Sequence, residues 1–251
     1  MIDALAQFFR WLNDAHGVNF SVFYSRSDAL NFWRGVGVTA WLSLVCLVLS
    51  TLIGMAGAWL QQARAASLRI AIAAYVQFFR NTPPLIQLYF FYFAIGALLP
   101  LGHDAAGNPE QMVSNFGWAI LSFSLFAGAF NVEIFRAGIE AVPATTVEAA
   151  QSLGLTRRQV YLRIVLPLAL RVSLPAYGNN VVNLVKTTTL AYAIAVPETL
   201  YAAAAIWSEE LNVREMMNVV LIVYLLLIAL LVLALKGWER ALRVPGFGHQ
   251  A

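Results

Sequence analysis

Three charged residues lie inside long apolar runs of this chain: Arg80, Glu133 and Lys186. A charge near the middle of a bilayer costs about 3 kcal/mol or more unless it is paired or wetted, so such residues mark an ion pair or a path for a polar solute. The Arg80 guanidinium has the planar fork that binds a carboxylate through two parallel hydrogen bonds. The chemistry indicated is therefore binding of charge.

Arg80 and Glu133 are predicted to reach similar depths in two different runs. At 1.5 Å per helical residue, they lie about 16 Å and about 12 Å from the nearer ends of those runs. One interpretation is a structural ion pair, or two side chains that extend toward the same surface. The other is that Arg80 faces a cavity and binds a solute carboxylate. Pro83 and Pro84 favour a cavity, because prolines free backbone carbonyls.

A polar stripe interrupts a later run. The residues Asn179, Asn183 and Lys186 follow helical spacing and should share one face. Their polar neighbours are Asn180, Thr187 and Thr188. The stripe either lines a solute path or links membrane helices by hydrogen bonds. Lys186 in addition requires a counter-charge or solvent.

Catalysis is poorly supported by the sequence. The chain has neither a Gly-x-x-x-x-Gly-Lys-Ser/Thr phosphate loop nor a His-Glu-x-x-His zinc pattern, and its three histidines lie far apart. The single cysteine, Cys46, excludes an intrachain disulfide framework and a multi-cysteine metal site. We expect no cofactor and no metal in this chain, so driven transport would need energy from a partner.

The elements that position these residues are predicted to be membrane helices. The chain is 60% hydrophobic and only 12% charged, unlike a soluble domain. Its apolar runs are each long enough to span about 30 Å of hydrocarbon, and they lack the alternation of barrel strands. We predict an all-α polytopic membrane protein, a single domain over 1–251, with lipid as its surroundings and no nucleic-acid partner. The five predicted spans cover about 36–60, 70–99, 118–141, 177–196 and 216–235.

The distribution of charge predicts the orientation. Ten of the sixteen basic residues fall in 61–69, in 136–176 and after 235, whereas the opposite loops carry carboxylates such as Glu198 and Glu210. By the positive-inside rule the N-terminus is outside and the C-terminus is cytoplasmic. Residues 1–34 are predicted to include an amphipathic helix in the outer interface, although a frayed start remains an alternative.

The predicted cytoplasmic loop, 142–176, contains the most specific pattern in the chain. Thr145 to Glu148 and Thr156 to Gln159 both fit the capping box that begins a helix. Gly154 fits the left-handed residue that ends one, and Pro167 should end or kink the second helix. These short helices are either a docking surface for another protein or merely well-capped loop helices.

The same loop carries a family resemblance. Glu148-Ala149-Ala150, three residues, Gly154, nine residues and then Ile164-Val165-Leu166-Pro167 resembles the EAA loop of bacterial ABC-importer permeases. That family's loop docks onto the ATP-hydrolysing subunit. Three other segments are similar to the polar amino acid branch, and the similarity runs from about Gly35 to Arg240. These segments are Phe79-Arg80-Asn81-Thr82-Pro83-Pro84-Leu85, Glu133-Ile134-Phe135-Arg136-Ala137-Gly138-Ile139 and Leu184-Val185-Lys186-Thr187-Thr188-Thr189-Leu190.

The resemblance implies a function and a set of partners. It implies a type I importer permease in the bacterial inner membrane that moves a polar amino acid by alternating access. The partners would be a second permease, identical or homologous, an external solute-binding protein, and an ABC ATPase that holds ATP and Mg²⁺. Glu148, Ala149, Ala150 and Gly154 would then dock the ATPase. The alternatives are a stand-alone facilitator or channel and, more distantly, a membrane-embedded enzyme.

Overall fold

The computed structural model describes residues 2–103 and 109–241, and most of that chain is helical. Residues 1, 104–108 and 242–251 lie outside the described part, which thus omits a section of the predicted external loop and the end of the basic tail. The α-helices are α1 (Ile2–His16), α2 (Arg26–Leu60), α3 (Ala66–Asn81), α4 (Pro84–Tyr89), α5 (Asn115–Glu140), α6 (Ala144–Ser152), α7 (Arg157–Val160), α8 (Leu166–Thr187), α9 (Thr199–Glu210) and α10 (Val213–Ala241).

Several helices are extended by segments of tighter or looser winding. Three segments are 3₁₀-helical, and they cover Ser21–Phe23, Gly96–Leu98 and Thr188–Ile194. Two are π-helical, and they cover Phe90–Ile95 and Tyr161–Val165. A short antiparallel hairpin pairs β1 (Leu101–His103) with β2 (Pro109–Gln111).

Four stretches of the described chain are long and apolar enough to cross a membrane: Arg26–Leu60, Asn115–Glu140, Arg157–Ile194 and Val213–Ala241. They contain the first and fifth predicted spans and nearly all of the third and fourth. The second predicted span, 70–99, is divided into α3 and α4, with a shorter apolar helical segment over Pro84–Leu98. The all-helical prediction is confirmed, while the count of five spans stays a prediction.

The division of the second predicted span has a local cause at two prolines. Thr82 is extended (φ −114°, ψ 143°), as expected for a residue that precedes proline. The Gln87 side chain then closes the gap, because its amide nitrogen donates to the carbonyls of Phe79 and Thr82 at 2.9 Å each. The Phe79 carbonyl, which Pro83 cannot serve because it has no N–H, thus obtains a partner within the same segment.

The fourth predicted span begins much earlier than the sequence indicated. Helix α8 begins at Leu166 rather than at residue 177. The preceding helix α7 ends at Val160, before Pro167, and regular α-helical winding resumes only at Leu166. Pro167 favours this interruption because it has no N–H to donate to the carbonyl four residues earlier. The π-helical segment Tyr161–Val165 joins α7 to α8 directly before it.

The N-terminal segment forms the predicted helix. Helix α1 is followed by the short 3₁₀ turn, and the Phe9 ring stacks on Phe23 with centroids 4.6 Å apart. Phe20 contributes a second ring contact to Phe9 at 5.5 Å. The alternative of a frayed start is therefore not what these residues adopt.

The chain forms two compact units. The first takes in Met1–Val45, Leu88–Ile120 and Val185–Leu230, as far as these ranges are described. Its core joins the first part of α2 to α9 and to the first part of α10. The buried members are Val22, Phe32, Ala203, Ile206, Met216, Val219 and Val220.

The second unit takes in Cys46–Gln87, Leu121–Leu184 and Leu231–Ala251, again where described. Close approach through glycine characterises its packing. A Cβ atom on Gly57 would collide with Val132, and one on Gly138 would collide with Ser173 and the carbonyl of Ala169. Small residues allow α2, α5 and α8 to pack at short distance within this unit.

Candidate functional site

Helix α6 of the predicted docking loop begins at a proline. It begins at Ala144 with Pro143 as its N-cap (φ −60°), and no side chain caps it. The prediction that Thr145 caps this helix is wrong, since Thr145 already lies inside the first turn. Pro143 suits the position because its ring fixes φ close to the helical value, and its carbonyl accepts the Thr146 N–H at 3.0 Å.

Gly154 ends α6 in the predicted left-handed conformation, with φ +82°. The Gly154 N–H donates to the Gln151 carbonyl at 2.9 Å, and the Leu155 N–H donates to the Ala150 carbonyl at 3.3 Å. Together these two bonds form a Schellman motif. A Cβ atom on Gly154 would meet nothing within 4 Å. Backbone conformation, and not space, therefore requires glycine here.

The second helix of the loop has the predicted capping box. The Thr156 hydroxyl accepts the Gln159 N–H at 3.4 Å, and the Gln159 side-chain oxygen accepts the Thr156 N–H at 2.9 Å. Helix α7 is consequently fixed at its first turn, directly after the glycine corner. The capping prediction at Thr156 is confirmed.

The predicted docking residues do not all face outward. Glu148 and Ala149 are exposed, as are Gly154 and its neighbour Leu153, which is 84% exposed. Ala150 is instead buried. It belongs to a small apolar cluster that ties α6 and α7 to the beginning of α8, with Val142, Val160, Val165 and Ala169 as the other members. The helix thus presents an acidic and apolar outer face on a packed base.

Arg80 and Glu133 come together in the second unit. The Arg80 guanidinium lies 3.7 Å from the Glu133 carboxylate and 5.4 Å from the centroid of the Phe130 ring. Glu133 is bound more tightly by Arg136, at 2.7 Å, and it also accepts the Gln61 amide at 3.4 Å. Two arginines therefore share one carboxylate. This geometry agrees with the ion-pair interpretation of Arg80.

The polar stripe of α8 divides into two faces. Asn179, Asn183 and Lys186 are exposed. Asn180 is buried, and its amide donates to the Asn131 side chain at 2.8 Å and to the Ala127 carbonyl on α5 at 3.0 Å. Thr188 is also buried, and its hydroxyl donates to the Val185 carbonyl at 2.7 Å. Asn180 therefore links helices, whereas Asn179 and Lys186 lie on an exposed face of α8.

Sequence reasoning missed a buried carboxylate in the first unit. Glu198 is fully buried at the N-terminus of α9, where it accepts the N–H groups of Leu200 and Tyr201 at 3.0 and 2.9 Å and the Tyr224 hydroxyl at 3.2 Å. Burial raises the pKa of the Glu198 carboxyl above its usual value, and these hydrogen bonds offset part of that rise. Sequence reasoning had counted Glu198 only among the external acids. Its place before a helix-forming run was the available signal.

The comparisons with known proteins bear on this architecture. Residues 50–244 match the family described as binding-protein-dependent transport system inner membrane component. The match covers more than half of the chain. The chain belongs to this family.

Its relatives include permeases from several bacteria. The chain is 30% identical over 212 residues to the probable amino-acid permease protein YxeN of Bacillus subtilis (strain 168), covering 84% of this chain and 91% of that protein. It is 30% identical over 215 residues to the histidine/lysine/arginine/ornithine transport system permease protein HisM of Salmonella typhimurium, covering 85% and 90%. For the glutamate/aspartate import permease protein GltJ of Escherichia coli (strain K12), the identity is 29% over 216 residues, covering 85% and 88%.

Solved structures share the fold. A crystal structure of an amino acid ABC transporter with histidines has a TM-score of 0.75 at 23% identity, covering 85% of this chain and 94% of that one. An inward-facing MetNI methionine ABC transporter has a TM-score of 0.69 at 20% identity, covering 88% and 100%. The chain is thus a multi-pass membrane permease subunit of the ABC importer type, and the stand-alone facilitator is not favoured.

Proposed function

We propose that this permease moves a polar amino acid into the cell by alternating access, driven by an ABC ATPase that docks on the loop containing α6 and α7. The relatives YxeN, HisM and GltJ are described as amino-acid permeases, which supports the substrate class. ATP and Mg²⁺ would bind to the partner ATPase. The proposal also includes a second permease subunit and an external solute-binding protein.

The observation that carries the proposal is the construction of α6. Its outer face is exposed at Glu148, Ala149 and Leu153, while Ala150 packs it onto the beginning of α8. A force applied to the outer face would be transmitted to α8 through this packed base and through the helical continuity of the Tyr161–Val165 segment.

We propose that the loops fit an N-out, C-in orientation, with α6 and α7 cytoplasmic. This orientation rests on the segregation of basic residues. It places the exposed arginines of the loop, Arg157, Arg158 and Arg163, on the same side as the ATPase.

The solute path is proposed to follow the exposed face of α8. Asn179, Asn183 and Lys186 supply hydrogen-bonding groups and one positive charge on that face. A polar stripe inside a membrane requires protein or water against it, so the second permease subunit would complete the path. Arg80 and Glu133 have each other and Arg136 as partners, which supports a mainly structural role for that pair.

The test of the coupling role is Gly154→Val in the complex with its ATPase, reconstituted in nanodiscs. A β-branched residue in the left-handed conformation is strained by about 1 kcal/mol or more, which should re-aim the end of α6. We expect normal membrane insertion, together with loss of ATPase co-purification or loss of solute-stimulated ATP hydrolysis.

The matched control is Gly237→Val on α10. A Cβ atom on Gly237 also meets nothing within 4 Å, but this glycine lies within a helix and has no positive φ. It should retain ATPase binding and stimulated hydrolysis. Retention of both properties by Gly154→Val as well would remove the coupling role from this loop.

A further inference from the structure

Two tyrosines stand exposed beside one another in the first unit. Tyr192 and Tyr201 are 43% and 38% exposed, and their ring centroids lie 6.1 Å apart with planes inclined at 55°. Tyr192 belongs to the 3₁₀ segment Thr188–Ile194, and Tyr201 lies in the first turn of α9. Neither ring is needed to fill the core of this unit. Their exposure in a membrane permease therefore requires another explanation.

The pair continues the exposed face that carries Lys186. The 3₁₀ segment buries every third residue, namely Thr188, Ala191 and Ile194. With three residues per turn, Thr189 and Tyr192 share a second face, about 120° from the buried one, and Lys186 lies one turn before Thr189 at the end of α8. Lys186 and Tyr192 are exposed and Thr189 is half-buried, as this spacing predicts. At about 2.0 Å per residue, the lysine and the tyrosine are separated by about 12 Å along one face.

Glu198 determines the position of Tyr201. Its carboxylate accepts the Tyr201 backbone N–H at 2.9 Å and so fixes the first turn of α9. The same carboxylate reaches the Tyr224 hydroxyl on α10. A salt bridge to Glu198 is absent from the described residues. An unpaired buried carboxylate is costly unless hydrogen bonds satisfy it, so its use here indicates a need for a fixed geometry.

Helix α2 holds the same turn from another side. The hydroxyls of Thr39 and Thr199 are 2.7 Å apart, and the Thr199 N–H donates to Thr39 at 3.1 Å. Gly35 allows the close approach, since a Cβ atom there would lie 2.7 Å from the Cβ of Ala202. The start of α9 is therefore fixed by α2 and α10 together, while the Tyr201 ring points out of this packed base.

We propose that Tyr192 and Tyr201 form an aromatic contact for the ammonium group of the transported amino acid, and that Glu198 is the residue that positions it. The proposal rests on the proposed function. A cation is attracted to the face of a tyrosine ring, and the Lys186 ammonium suits a carboxylate. A zwitterionic amino acid carries both groups. A solute that passes along this face meets the lysine and the ring pair in turn.

The contact is tested by accessibility in the reconstituted importer. Tyr192→Cys, in a Cys46→Ser background, is treated with a charged water-soluble thiol reagent in the presence and absence of the transported amino acid. We expect modification that the amino acid slows several-fold. Phe93→Cys, at an exposed ring of the π-helical segment Phe90–Ile95, is the matched control and should show no solute protection.

Tyrosines also anchor membrane proteins at the lipid interface, and the same experiment separates this role. If Tyr192→Cys does not react, the ring pair faces lipid. If it reacts without protection by solute, the residue faces water that the solute does not enter. Either result overturns the proposal.

Uptake kinetics test the positioning role. Tyr201→Ala should raise KM by about 3- to 30-fold with kcat largely retained, as expected for loss of a cation–π contact. Tyr201→Phe, which keeps the ring, should fall between wild type and the alanine variant. Glu198→Gln should also raise KM while the amount of complex with the ATPase stays normal. A lower amount of complex at unchanged KM would make Glu198 structural only and would overturn its positioning role.

Different outcomes overturn the proposed function and the aromatic contact. If the wild-type complex takes up no amino acid, the proposed function and this inference both fall. If the wild type takes up amino acid and Tyr201→Ala has a normal KM, only the inference falls.

Discussion

Two regions of the molecule, the docking segment (α6 and α7) and the Glu198 junction (Glu198 and the start of α9 with its contacts to α2 and α10), use glycine for different purposes. Both contain a short helix next to a glycine. Gly154 is glycine because its φ is +82°, with open space around it. Gly35 is glycine because Ala202 and the carbonyl of Glu198 leave no room, at 2.7 and 3.0 Å from a hypothetical Cβ atom. Gly154 allows the chain to turn at the end of α6, and Gly35 allows α2 to approach α9 closely.

Helices α6 and α9 also differ in whether a side chain accepts hydrogen bonds from the backbone N–H groups of their first turns. Helix α6 begins without any side-chain cap, whereas α9 is capped by a fully buried carboxylate with a third partner on α10. A helix that must move with a docked partner is served by an exposed face on a small apolar base. A helix that must hold a side chain in place is served by hydrogen bonds, because these are directional. Under the proposed function, α6 is the helix that moves with its partner, and α9 is the helix that holds Tyr201 in place.

The largest expected loss of stability comes from a substitution that tests how closely α2 and α9 pack beside Glu198. Gly35→Val should destabilise the folded protein by about 1–3 kcal/mol or more, because a side chain cannot fit between α2 and α9 without displacing one of them. The measurement is the thermal midpoint of the purified protein in detergent, with the yield of monodisperse protein.

Gly37 provides the control two residues away on the same helix. A Cβ atom there meets nothing within 4 Å, so Gly37→Val should leave the midpoint near that of wild type. Equal midpoints for the two variants would mean that α2 and α9 are not closely packed, and the comparison between the two glycines would fail.

A smaller effect separates the two threonines of the docking segment. Thr156→Ala should cost about 1 kcal/mol of local stability, because it removes a capping box. Thr145→Ala should cost little, since Thr145 caps nothing. Hydrogen exchange of the backbone amides in α6 and α7 measures both. Faster exchange in α6 for Thr145→Ala than in α7 for Thr156→Ala would reverse the assignment of caps.

The smallest effect concerns the pH dependence of the junction. Because burial raises the pKa of Glu198 in the folded state, stability is greatest where the carboxyl is protonated in both states. It is lost as pH rises through the folded pKa. Relative to Glu198→Gln, which does not titrate, wild type should therefore lose thermal stability from about pH 4 upward through that raised pKa.

Midpoints measured at a series of pH values check this sign. Glu209→Gln, at an exposed carboxyl of the same helix, is the matched control. If the thermal midpoint of wild type instead rises relative to that of Glu198→Gln as pH increases, the hydrogen bonds to Glu198 outweigh the cost of its burial. The folded state would then favour the ionised carboxylate.

The sequence predicted helices, the glycine corner and the family because each depends on local pattern. Apolar runs indicate membrane helices, and the left-handed turn at Gly154 follows from the absence of a side chain. The capping box at Thr156 was predicted for the same reason. The matching pattern at Thr145 failed because Pro143, two residues earlier, already favours helical dihedrals and begins the helix first.

What the sequence could not supply were contacts between distant segments. The bond of Asn180 to Asn131 joins residues that are apart in sequence, and their pairing divides the predicted polar stripe. Glu198 likewise reaches Tyr224 on a different helix, 26 residues further along the chain. Periodicity places a residue on a face of its own helix, but it does not say which neighbour covers that face.

The π-helical segment Tyr161–Val165 has a geometric consequence for α6 and α7. A π-turn contains one residue more than the surrounding helix requires, so it offsets the angular register between α7 and α8. Each residue of an α-helix turns the chain by about 100°. Removing one residue from this segment would therefore rotate the docking face about the axis of α8 by a large fraction of a turn. One extra residue in the π-helical segment therefore determines the direction in which α6 and α7 project from α8.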